Sequence, residues 1–363
     1  MEIRVIIDEV AFSIQKIGGI SVVWYELIKR MIKDKRFNTS FLEFENAGEN
    51  YYRKRLDIPR ESIRQMFSQK MFRFLRYINP KVGIREPFIF HSSYYRVARD
   101  KSAINVTTVH DFVYERCGDN SIRNRIHKWQ QKRAVYKSNK VVCISESTKR
   151  DLLYFYKEFD TNKLAVIYNG VSESYFPIGD ISSVDLPYPL NSYFLFVGAR
   201  KEYKNAKLAI DSVAKTNANL VFVGAPLMNE EIAYLNQKIG DGRYCCLSMV
   251  SEERLNQLYN GAFALLYLSS YEGFGIPCIE AQKAGCPVIA YNSSSIPEVV
   301  CDKRLLIDVL SEDEVLEKVN LLKNERERER IINNGLKFSG SFTWDRTYKE
   351  YAQLYEELLT NHS

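Results

Sequence analysis

Short apolar runs alternate with longer amphipathic stretches along the whole chain. The runs are bounded by Gly, Asn and Ser, which is typical of buried strands, and the stretches between them have helical spacing. Strands that alternate with helices predict parallel sheets covered on both faces by helices. The predicted strands lie at 3–7, 88–91, 105–109, 140–144, 165–168, 193–198, 220–224, 244–249, 263–268 and 287–291. The predicted helices lie at 22–32, 146–156, 207–216, 229–239, 252–259, around 312–335 in two pieces, and 344–359.

The chain divides into two domains in this pattern. Its 363 residues are enough for two separate cores, and residues 177–189, rich in Pro, Ser, Gly and Asp, are predicted to be the linker. We therefore expect an N-terminal domain over 1–176 and a C-terminal domain over 190–343. Both should be doubly wound Rossmann-like α/β domains that face each other across a cleft. The last helix carries an apolar stripe that must dock on another surface.

Composition narrows the class of protein. Hydrophobic residues make up 45% and charged residues 26% of the chain, which is globular. No apolar run approaches the length of a membrane span, and the chain opens on a strand pattern rather than a signal peptide. The seven cysteines are odd in number and have no metal-ligand spacing. We interpret them as reduced thiols of a cytoplasmic protein. Association of this protein with the inner face of the membrane is compatible with that interpretation.

Positive charge is concentrated in the first half. Residues 1–189 hold 32 Lys and Arg against 22 Asp and Glu, whereas residues 190–363 hold 19 against 23, so an anionic partner is expected. A helix is predicted over 63–78, with an apolar stripe beside Arg64, Lys70, Arg73 and Arg76. It fits an anionic membrane surface or a lipid-linked acceptor, and it fits a core-packed helix with a basic solvent face equally well. Nucleic acid is not expected, because no stacking module accompanies the charge.

The loop that follows the predicted strand 263–268 is the most informative segment. Two glycines keep the turn narrow, Pro277 suits the first helical position, and a helix N-terminus attracts phosphate. Glu280 would lie in the first helical turn, within reach of a ribose diol, and Glu272 would meet sugar hydroxyls. The loop reads Glu272-Gly273-Phe274-Gly275-Ile276-Pro277-Cys278-Ile279-Glu280.

Three further segments end predicted strands. Gly18-Gly19 follows the first strand, where backbone can approach a ligand closely; a purely structural turn is the alternative, and the absence of G-x-G-x-x-G argues against NAD. His110 follows the strand 105–109, and by position alone a structural role is favoured. Arg200 and Lys204 follow the strand 193–198 and suit a diphosphate. No D-x-D sequence or histidine cluster is present, so we expect no metal site.

These motifs, in this order, resemble the retaining glycosyltransferases of family four, which have the GT-B fold. The resemblance implies that the last helix crosses back to the N-terminal domain. It also implies that Arg200 and Lys204 bind the donor diphosphate and that His110 hydrogen-bonds the donor sugar. The motifs are Gly18-Gly19-Ile20, Val109-His110-Asp111, Ser145-Glu146-Ser147-Thr148, Asn169-Gly170-Val171, Phe196-Val197-Gly198-Ala199-Arg200, Lys204-Asn205, the loop at 272–280 and Ile296-Pro297-Glu298-Val299.

The expected function is therefore retaining, metal-independent and cofactor-free transfer of a hexose from a nucleotide sugar to a glycan or lipid-linked acceptor in surface polysaccharide synthesis. A mannose-type donor is favoured. The alternatives are a GT-B hydrolase or epimerase of nucleotide sugars and a nucleotide-sugar-binding subunit without turnover. The expected catalytic residues are His110, Glu272, Arg200 and Lys204. The expected donor-binding residues are Gly18, Gly19, Arg200, Lys204, Glu272, Gly273, Phe274, Gly275, Ile276 and Glu280.

Overall fold

The chain forms two compact units. A computed structural model describes residues 2–362, apart from the side chain of residue 65. The first unit consists of the residues up to Gly170 together with those from Trp344 onward, and the second unit is Val171–Thr343. The division falls at 170/171 rather than in the predicted linker at 177–189, which lies inside the second unit.

Hydrogen bonds at the start of the predicted linker and near its end attach it to the rest of the second unit. The backbone N–H of Phe176 donates to Asn256 Oδ1 over 3.1 Å, and that of Ile178 donates to Asn260 Oδ1 over 2.7 Å. Farther along, the Tyr188 hydroxyl donates to the carbonyl of Gly242 over 3.1 Å. The Pro, Ser and Gly content of the segment therefore marks irregular but attached backbone. Composition alone does not distinguish such a segment from a free linker.

The first unit is built on one parallel sheet of seven strands. Their order is β3-β2-β1-β4-β5-β6-β7, and every neighbouring pair runs parallel. This order places the first strand in the interior of the sheet, as a doubly wound topology requires. The strands are β1 (Ile3–Asp8), β2 (Phe37–Phe44), β3 (Ile63–Phe67), β4 (Phe88–Ser92), β5 (Ala103–Val109), β6 (Lys140–Cys143) and β7 (Leu164–Val166).

The helices of the first unit connect these strands. The longest of them within this part of the chain are α2 and α5. The helices are α1 (Val10–Ile14), α2 (Gly19–Met31), α3 (Phe72–Leu75), α4 (Val113–Arg116), α5 (Ile122–Lys137) and α6 (Glu146–Phe155). The predicted helix over 63–78 is wrong, because 63–67 pairs with β2 as the edge strand β3 and only Phe72–Leu75 is α-helical. Pairing with a neighbouring strand outweighs the local helical spacing there.

The second unit contains a parallel sheet of six strands in the order β10-β9-β8-β11-β12-β13. The strands are β8 (Tyr193–Val197), β9 (Asn219–Val223), β10 (Tyr244–Leu247), β11 (Ala264–Tyr267), β12 (Val288–Tyr291) and β13 (Leu306–Ile307). The helices are α7 (Ala206–Ala214), α8 (Asn229–Lys238), α9 (Glu252–Gly261), α10 (Ile276–Lys283), α11 (Ile296–Val299), α12 (Glu312–Leu322) and α13 (Glu325–Ser339). Two parallel α/β units confirm the predicted fold class.

The last helix, α14 (Trp344–Thr360), packs on the first unit. Its apolar stripe joins the core beside β1, β4 and α2. Buried hydrogen bonds fix its position: His91 Nδ1 lies 2.7 Å from the Tyr355 hydroxyl, and Thr108 Oγ1 lies 2.9 Å from the Tyr351 hydroxyl. His91 also contacts Thr108 through Nε2 over 2.9 Å, so both of its ring nitrogens have structural partners.

Candidate functional site

Two loops of the second unit are tied together at the carboxyl edge of its sheet. They follow the adjacent strands β8 and β11, which pair in parallel. The Asn205 side chain donates to the carbonyl of Leu268 over 2.8 Å and to Ser270 Oγ over 2.9 Å. The N–H of Ser270 donates in turn to the carbonyl of Tyr203 over 2.7 Å. The sheet order thus places the loop of Lys204 against the loop of Glu272.

Lys204 and Glu272 form a direct ion pair in this corner. Lys204 Nζ lies 2.5 Å from Glu272 Oε1, and the two side chains are 14% and 16% exposed. The Glu272 backbone is fixed as well, because its N–H donates to Ser294 Oγ over 2.9 Å and its carbonyl accepts from Ser295 Oγ over 2.9 Å. A partly dehydrated cation beside a rigid loop is suited to hold an anion.

Helix α10 begins directly after this loop. Gly275 caps it with φ of +107°, and a Cβ there would lie 3.0 Å from Val299 Cγ2, so both backbone conformation and space require glycine. Phe274 is buried and packs against Phe342 at a ring-centroid distance of 6.1 Å. Ile276 is the first helical residue and Pro277 the second, one position later than predicted. The N-terminus of α10 carries the partial positive charge that attracts anions.

The sequence predicted Glu280 in the first turn of the helix. In the structure Glu280 lies in the second turn of α10. Its Oε2 accepts a 3.0 Å hydrogen bond from the Tyr259 hydroxyl. The pKa of Glu280 is raised to about 7, mainly by burial; hydrogen bonds from Tyr259 and Tyr175 lower it, and the charge of Glu252 adds a smaller increase. The carboxyl group therefore changes its protonation state near neutral pH.

We expect donor binding to depend on pH through Glu280. Below pH 7 the protonated carboxyl can accept fewer hydrogen bonds from a diol, so the KM for the donor should rise as the pH falls from 8 to 6. Glu280→Gln should have a high KM that no longer varies over this range. Steady-state kinetics of both proteins provide the test, and a wild-type KM that is flat between pH 6 and 8 would contradict it.

The same pKa predicts the direction of the stability change. The folded-state pKa of Glu280 lies above the ordinary value of 4.5, so the folded protein binds the proton more tightly than the unfolded chain does. Its stabilising contribution is fully present below about pH 4.5 and is lost as the pH rises through about 7. Denaturant unfolding of wild type and Glu280→Gln should therefore show the wild type losing stability relative to the variant between pH 5 and 8. Parallel pH profiles would contradict this assignment.

The structure pairs Arg200 with a glutamate of helix α8. Arg200 Nε donates to Glu231 Oε1 over 2.7 Å and Nη2 donates to Oε2 over 3.1 Å. The guanidinium also donates to the carbonyls of Ala225 and Pro226 over 2.9 and 2.7 Å, and the side chain is 7% exposed. Arg200 and Lys204, which the sequence assigned to a single diphosphate, thus engage different carboxylates here. A role for Arg200 at the donor requires it to exchange Glu231 for phosphate.

We expect Glu231→Gln to weaken this pairing and favour such an exchange. If Arg200 contacts the donor, the KM for the donor should fall about threefold at unchanged kcat, because a charged hydrogen-bond partner is removed. Glu230→Gln is the matched control, since Glu230 is the exposed neighbour on the same helix turn. Kinetics measured at several donor concentrations separate KM from kcat. A KM equal to that of wild type would assign Arg200 to holding the start of α8.

His110 lies at the carboxyl end of β5 in the first unit. It is buried, and within residues 2–362 its Nε2 has no hydrogen-bond partner. Burial lowers its pKa to about 4, so the imidazole is neutral at physiological pH. The side chain of the next residue, Asp111, accepts from the N–H of Val113 over 3.0 Å and so caps the loop. A buried ring nitrogen without a partner is costly in a folded protein unless a ligand completes it.

Gly18 and Gly19 lie at the start of helix α2 in the first unit. Gly18 is its N-cap, in extended conformation, and Gly19 is its first residue. Apart from its chain neighbours and the backbone of its own helix, no heavy atom of residues 2–362 lies within 4 Å of the position that a Cβ of Gly19 would occupy. The Gln15 side chain lies over Gly18. The structure therefore leaves space beside Gly19 at a helix N-terminus and leaves its predicted role in donor binding as a prediction.

Several residues of the site escaped the sequence reasoning. Glu231 and Tyr259 lie on α8 and α9, far from the loops in sequence, and only tertiary packing brings them to Arg200 and Glu280. Asn205 belongs to the quoted Lys-Asn motif, which was the one available signal for its position. Its left-handed conformation, with φ of +54°, is favourable for asparagine.

Other candidate chemistry is limited. Cys278 is buried in the first turn of α10, and burial raises its pKa well above the usual value, which disfavours a thiolate nucleophile. Within residues 2–362, no group of three or more His, Cys, Asp or Glu is placed to hold a metal ion. In the same range, no helix combines the length and apolar character that crossing a membrane requires.

Family models match both units. The model described as Glycosyltransferase Family 4 matches residues 17–175, and the model described as Glycosyl transferases group 1 matches residues 187–338. The two matches are consecutive and together span most of the chain. The chain belongs to the group 1 and family 4 glycosyltransferases, and its two parallel α/β units are those of the GT-B fold. It is accordingly a transferase of glycosyl groups.

Individual relatives agree with this family. A protein of Methanocaldococcus jannaschii named as an uncharacterized glycosyltransferase is 27% identical over 363 residues, covering 94% of this chain and 95% of that protein. The O-antigen chain mannosyltransferase B of Escherichia coli is 23% identical over 287 residues, covering 75% of this chain and 74% of its own. The solved structure of Anabaena HepE with UDP and glucose matches with a TM-score of 0.73 and 16% identity, covering 98% of this chain and 100% of that one.

Proposed function

We propose that the protein transfers a hexose from a nucleotide-diphosphate sugar to a glycan or lipid-linked acceptor, as a step in surface polysaccharide synthesis. The observation that carries this proposal is the partly buried Lys204–Glu272 pair at the N-terminal end of α10. Lys204 and the helix N-terminus supply positive charge for a diphosphate, and Glu272 supplies acceptor oxygens for sugar hydroxyls. Glu280, in the second turn of the same helix, is suited to a ribose diol.

The proposed chemistry is substitution at the anomeric carbon with retention. The bond between that carbon and the diphosphate oxygen breaks, and a bond to an acceptor hydroxyl oxygen forms on the same face of the sugar. The proton of that hydroxyl passes to the leaving phosphate. Lys204 stabilises the negative charge that develops on the diphosphate, which is commonly the largest catalytic contribution in such sites. Neutral His110 hydrogen-bonds a substrate hydroxyl through Nε2.

A mannose-type donor is the favoured substrate within this class. The Escherichia coli relative is named an O-antigen chain mannosyltransferase, whereas HepE was solved with UDP and glucose. A thermal-shift panel of GDP- and UDP-sugars distinguishes these donors, because a ligand at about 100 times its Kd stabilises the folded protein by about 2.7 kcal/mol. We expect GDP-mannose to give the largest shift. A larger thermal shift with a UDP-sugar would identify that UDP-sugar, rather than GDP-mannose, as the donor. No thermal shift with any nucleotide sugar would contradict the proposal.

Transfer is distinguished from the rival reactions by its dependence on acceptor. Release of nucleotide at full rate without any acceptor would instead indicate a hydrolase. Isomerisation of the donor sugar without nucleotide release would indicate an epimerase. Donor binding without turnover, even with a membrane extract as the source of acceptor, would indicate a binding subunit.

We expect transfer to continue in EDTA. Lys204 and the N-terminus of α10 supply the positive charge that a metal ion supplies in other nucleotide-sugar enzymes. Rates measured in EDTA and after adding Mg²⁺ or Mn²⁺ in excess should agree within about twofold. Activity that EDTA abolishes and either metal restores would contradict this part of the proposal.

A further inference from the structure

A surface of the first unit combines exposed apolar side chains with a large excess of positive charge. Two exposed carboxylates lie at its margins, where Glu45 accepts from the N–H of Gln69 over 2.9 Å and Asp119 accepts from the N–H of Ser121 over 3.0 Å. Residues 62–85 contain six Lys and Arg and no Asp or Glu, and residues 120–145 contain seven and none. The first segment includes α3 and the turn after it, and the second includes α5. The solvent-exposed surface of a soluble protein normally mixes charges of both signs. These two segments therefore form an unusual stretch of surface, and the structure brings them together.

Helix α5 exposes an apolar stripe. Ile122, Ile126 and Trp129 are spaced at i, i+4 and i+7, so they lie on one face of the helix, and they are 76%, 38% and 54% exposed. The opposite face carries the buried residues Gln130, Gln131, Ala134 and Val135. The stripe is thus the outer face of a helix that is already packed through its other side.

Residues 72–78 lie along this helix and continue the surface. The Gln130 side chain donates to the carbonyl of Arg76 over 2.9 Å, and Arg133 donates to the carbonyl of Tyr77 over 2.8 Å. The Arg133 guanidinium also stacks on Trp129, 4.4 Å from the ring centroid. In this segment Phe74 and Ile78 are 69% and 50% exposed.

We infer that this surface, called here the α5 surface, docks on an anionic lipid bilayer. Its apolar members are Phe74, Ile78, Ile122, Ile126 and Trp129, and its exposed cations are Lys70, Arg73, Arg123, Arg125 and Lys132. Aromatic and aliphatic side chains flanked by Lys and Arg are what an interfacial binding site on anionic lipid requires. Charge complementarity selects the bilayer, since a neutral apolar partner would gain nothing from the excess of cations around the apolar side chains.

The α5 surface also lies next to the loop of His110. On the inner side of α5, Gln131 Nε2 donates to the carbonyl of Asp111 over 3.0 Å. Docking through the outer side would therefore hold the His110 loop one helix diameter from the lipid headgroups, on the order of 10 Å. This position suits an acceptor that is attached to lipid. The docking itself requires no donor and can be tested apart from the transfer reaction.

Trp129 provides the direct readout. The other two tryptophans, Trp24 and Trp344, are buried, so a spectral change on adding vesicles reports on Trp129. Vesicles of phosphatidylcholine with phosphatidylglycerol should shift the emission to shorter wavelength and carry the protein in flotation. High salt should reverse both effects, because it screens surface charge. Vesicles of phosphatidylcholine alone should produce neither effect.

Two sets of variants separate the apolar and charged contributions. Ile122→Ser with Ile126→Ser should weaken vesicle binding about tenfold, and Arg125→Glu with Lys132→Glu should abolish it. Met249→Ser is the control, since Met249 is 93% exposed in the second unit, and it should bind as wild type does. All replaced side chains are exposed, and unchanged unfolding midpoints would show that the variants fold.

The contrary outcomes are equally specific. Failure of wild type to bind the anionic vesicles, equal binding to neutral vesicles, or unaltered binding by both double variants would overturn the inference. The protein could instead bind single-stranded RNA more tightly than vesicles, and lose that RNA binding in the variant Arg125→Glu with Lys132→Glu but not in the variant Ile122→Ser with Ile126→Ser. This result would assign the surface to nucleic acid. Because donor is absent from every arm, these results do not depend on the proposed transfer reaction.

Discussion

Lys204→Met should lower kcat/KM for the donor by about 100- to 1,000-fold, the range found when one preorganised charge-stabilising donor is removed from an active site. Lys204 is a partly buried cation of the β8–α7 loop, and its Nζ lies 2.5 Å from Glu272 Oε1. Its loss removes the positive charge that we assign to the departing diphosphate. Initial rates with varied donor measure the effect, and Lys201→Met, an exposed lysine of the same loop, should match wild type.

The same substitution should also destabilise the fold, and a second change separates the two effects. Without Lys204 the carboxylate of Glu272 is left without its cation, at a cost of about 1–3 kcal/mol. Lys204→Met combined with Glu272→Gln removes the orphaned charge, so denaturant unfolding should return towards the wild-type midpoint. Activity should stay low in the double variant. Activity that recovers together with stability would show that Lys204 acts only as a structural partner of Glu272.

His110→Phe should lower kcat by about 100-fold without destabilising the protein. The Nε2 of His110 has no partner within residues 2–362, so its removal breaks no hydrogen bond at that atom. Its pKa, lowered to about 4, keeps the imidazole neutral, so the loss should be the same at pH 6 and pH 8. Steady-state kinetics and denaturant unfolding of the same preparation test both halves of this prediction.

His91→Phe is the matched control and should behave in the opposite way. The His91 ring forms hydrogen bonds with the Tyr355 hydroxyl and Thr108 Oγ1, over 2.7 and 2.9 Å. Its loss leaves each of these buried hydroxyl groups with one hydrogen bond fewer. We expect about 2–3 kcal/mol of destabilisation with kcat per folded molecule unchanged. If His110→Phe instead lost stability and kept its kcat, the assignment of His110 to the substrate would be wrong.

Most of the strands could be predicted from the sequence because they are largely apolar runs between turn residues. Strand β2 (Phe37–Phe44) mixes Asn, Thr, Ser and Glu with its phenylalanines, and β3 is an edge strand whose spacing also fits a helix. Neither strand has the nearly continuous apolar sequence that is typical of a buried parallel strand. Their pairing with β1 and with each other depends on tertiary structure, and a local pattern does not record it.

The candidate site was partly predictable for a related reason. Residues at the carboxyl ends of parallel strands gather at one edge, so Lys204 and Glu272 could be proposed as neighbours from their positions alone. Their direct contact depends on β8 lying beside β11 in the sheet, although β9 and β10 come between these two strands in the chain. The partners of Arg200 and Glu280 come from α8 and α9, and no spacing rule links those helices to the loops.

The central claim is that a nucleoside diphosphate binds where Lys204 meets the N-terminus of α10. Isothermal titration of GDP and UDP into wild type, Lys201→Met and Lys204→Met, all in EDTA, tests it most directly. We predict that one of the two nucleotides binds wild type and Lys201→Met equally and binds Lys204→Met at least about tenfold more weakly, a difference of about 1.4 kcal/mol. Equal binding by all three proteins, or no binding of either nucleotide to wild type, would contradict the account.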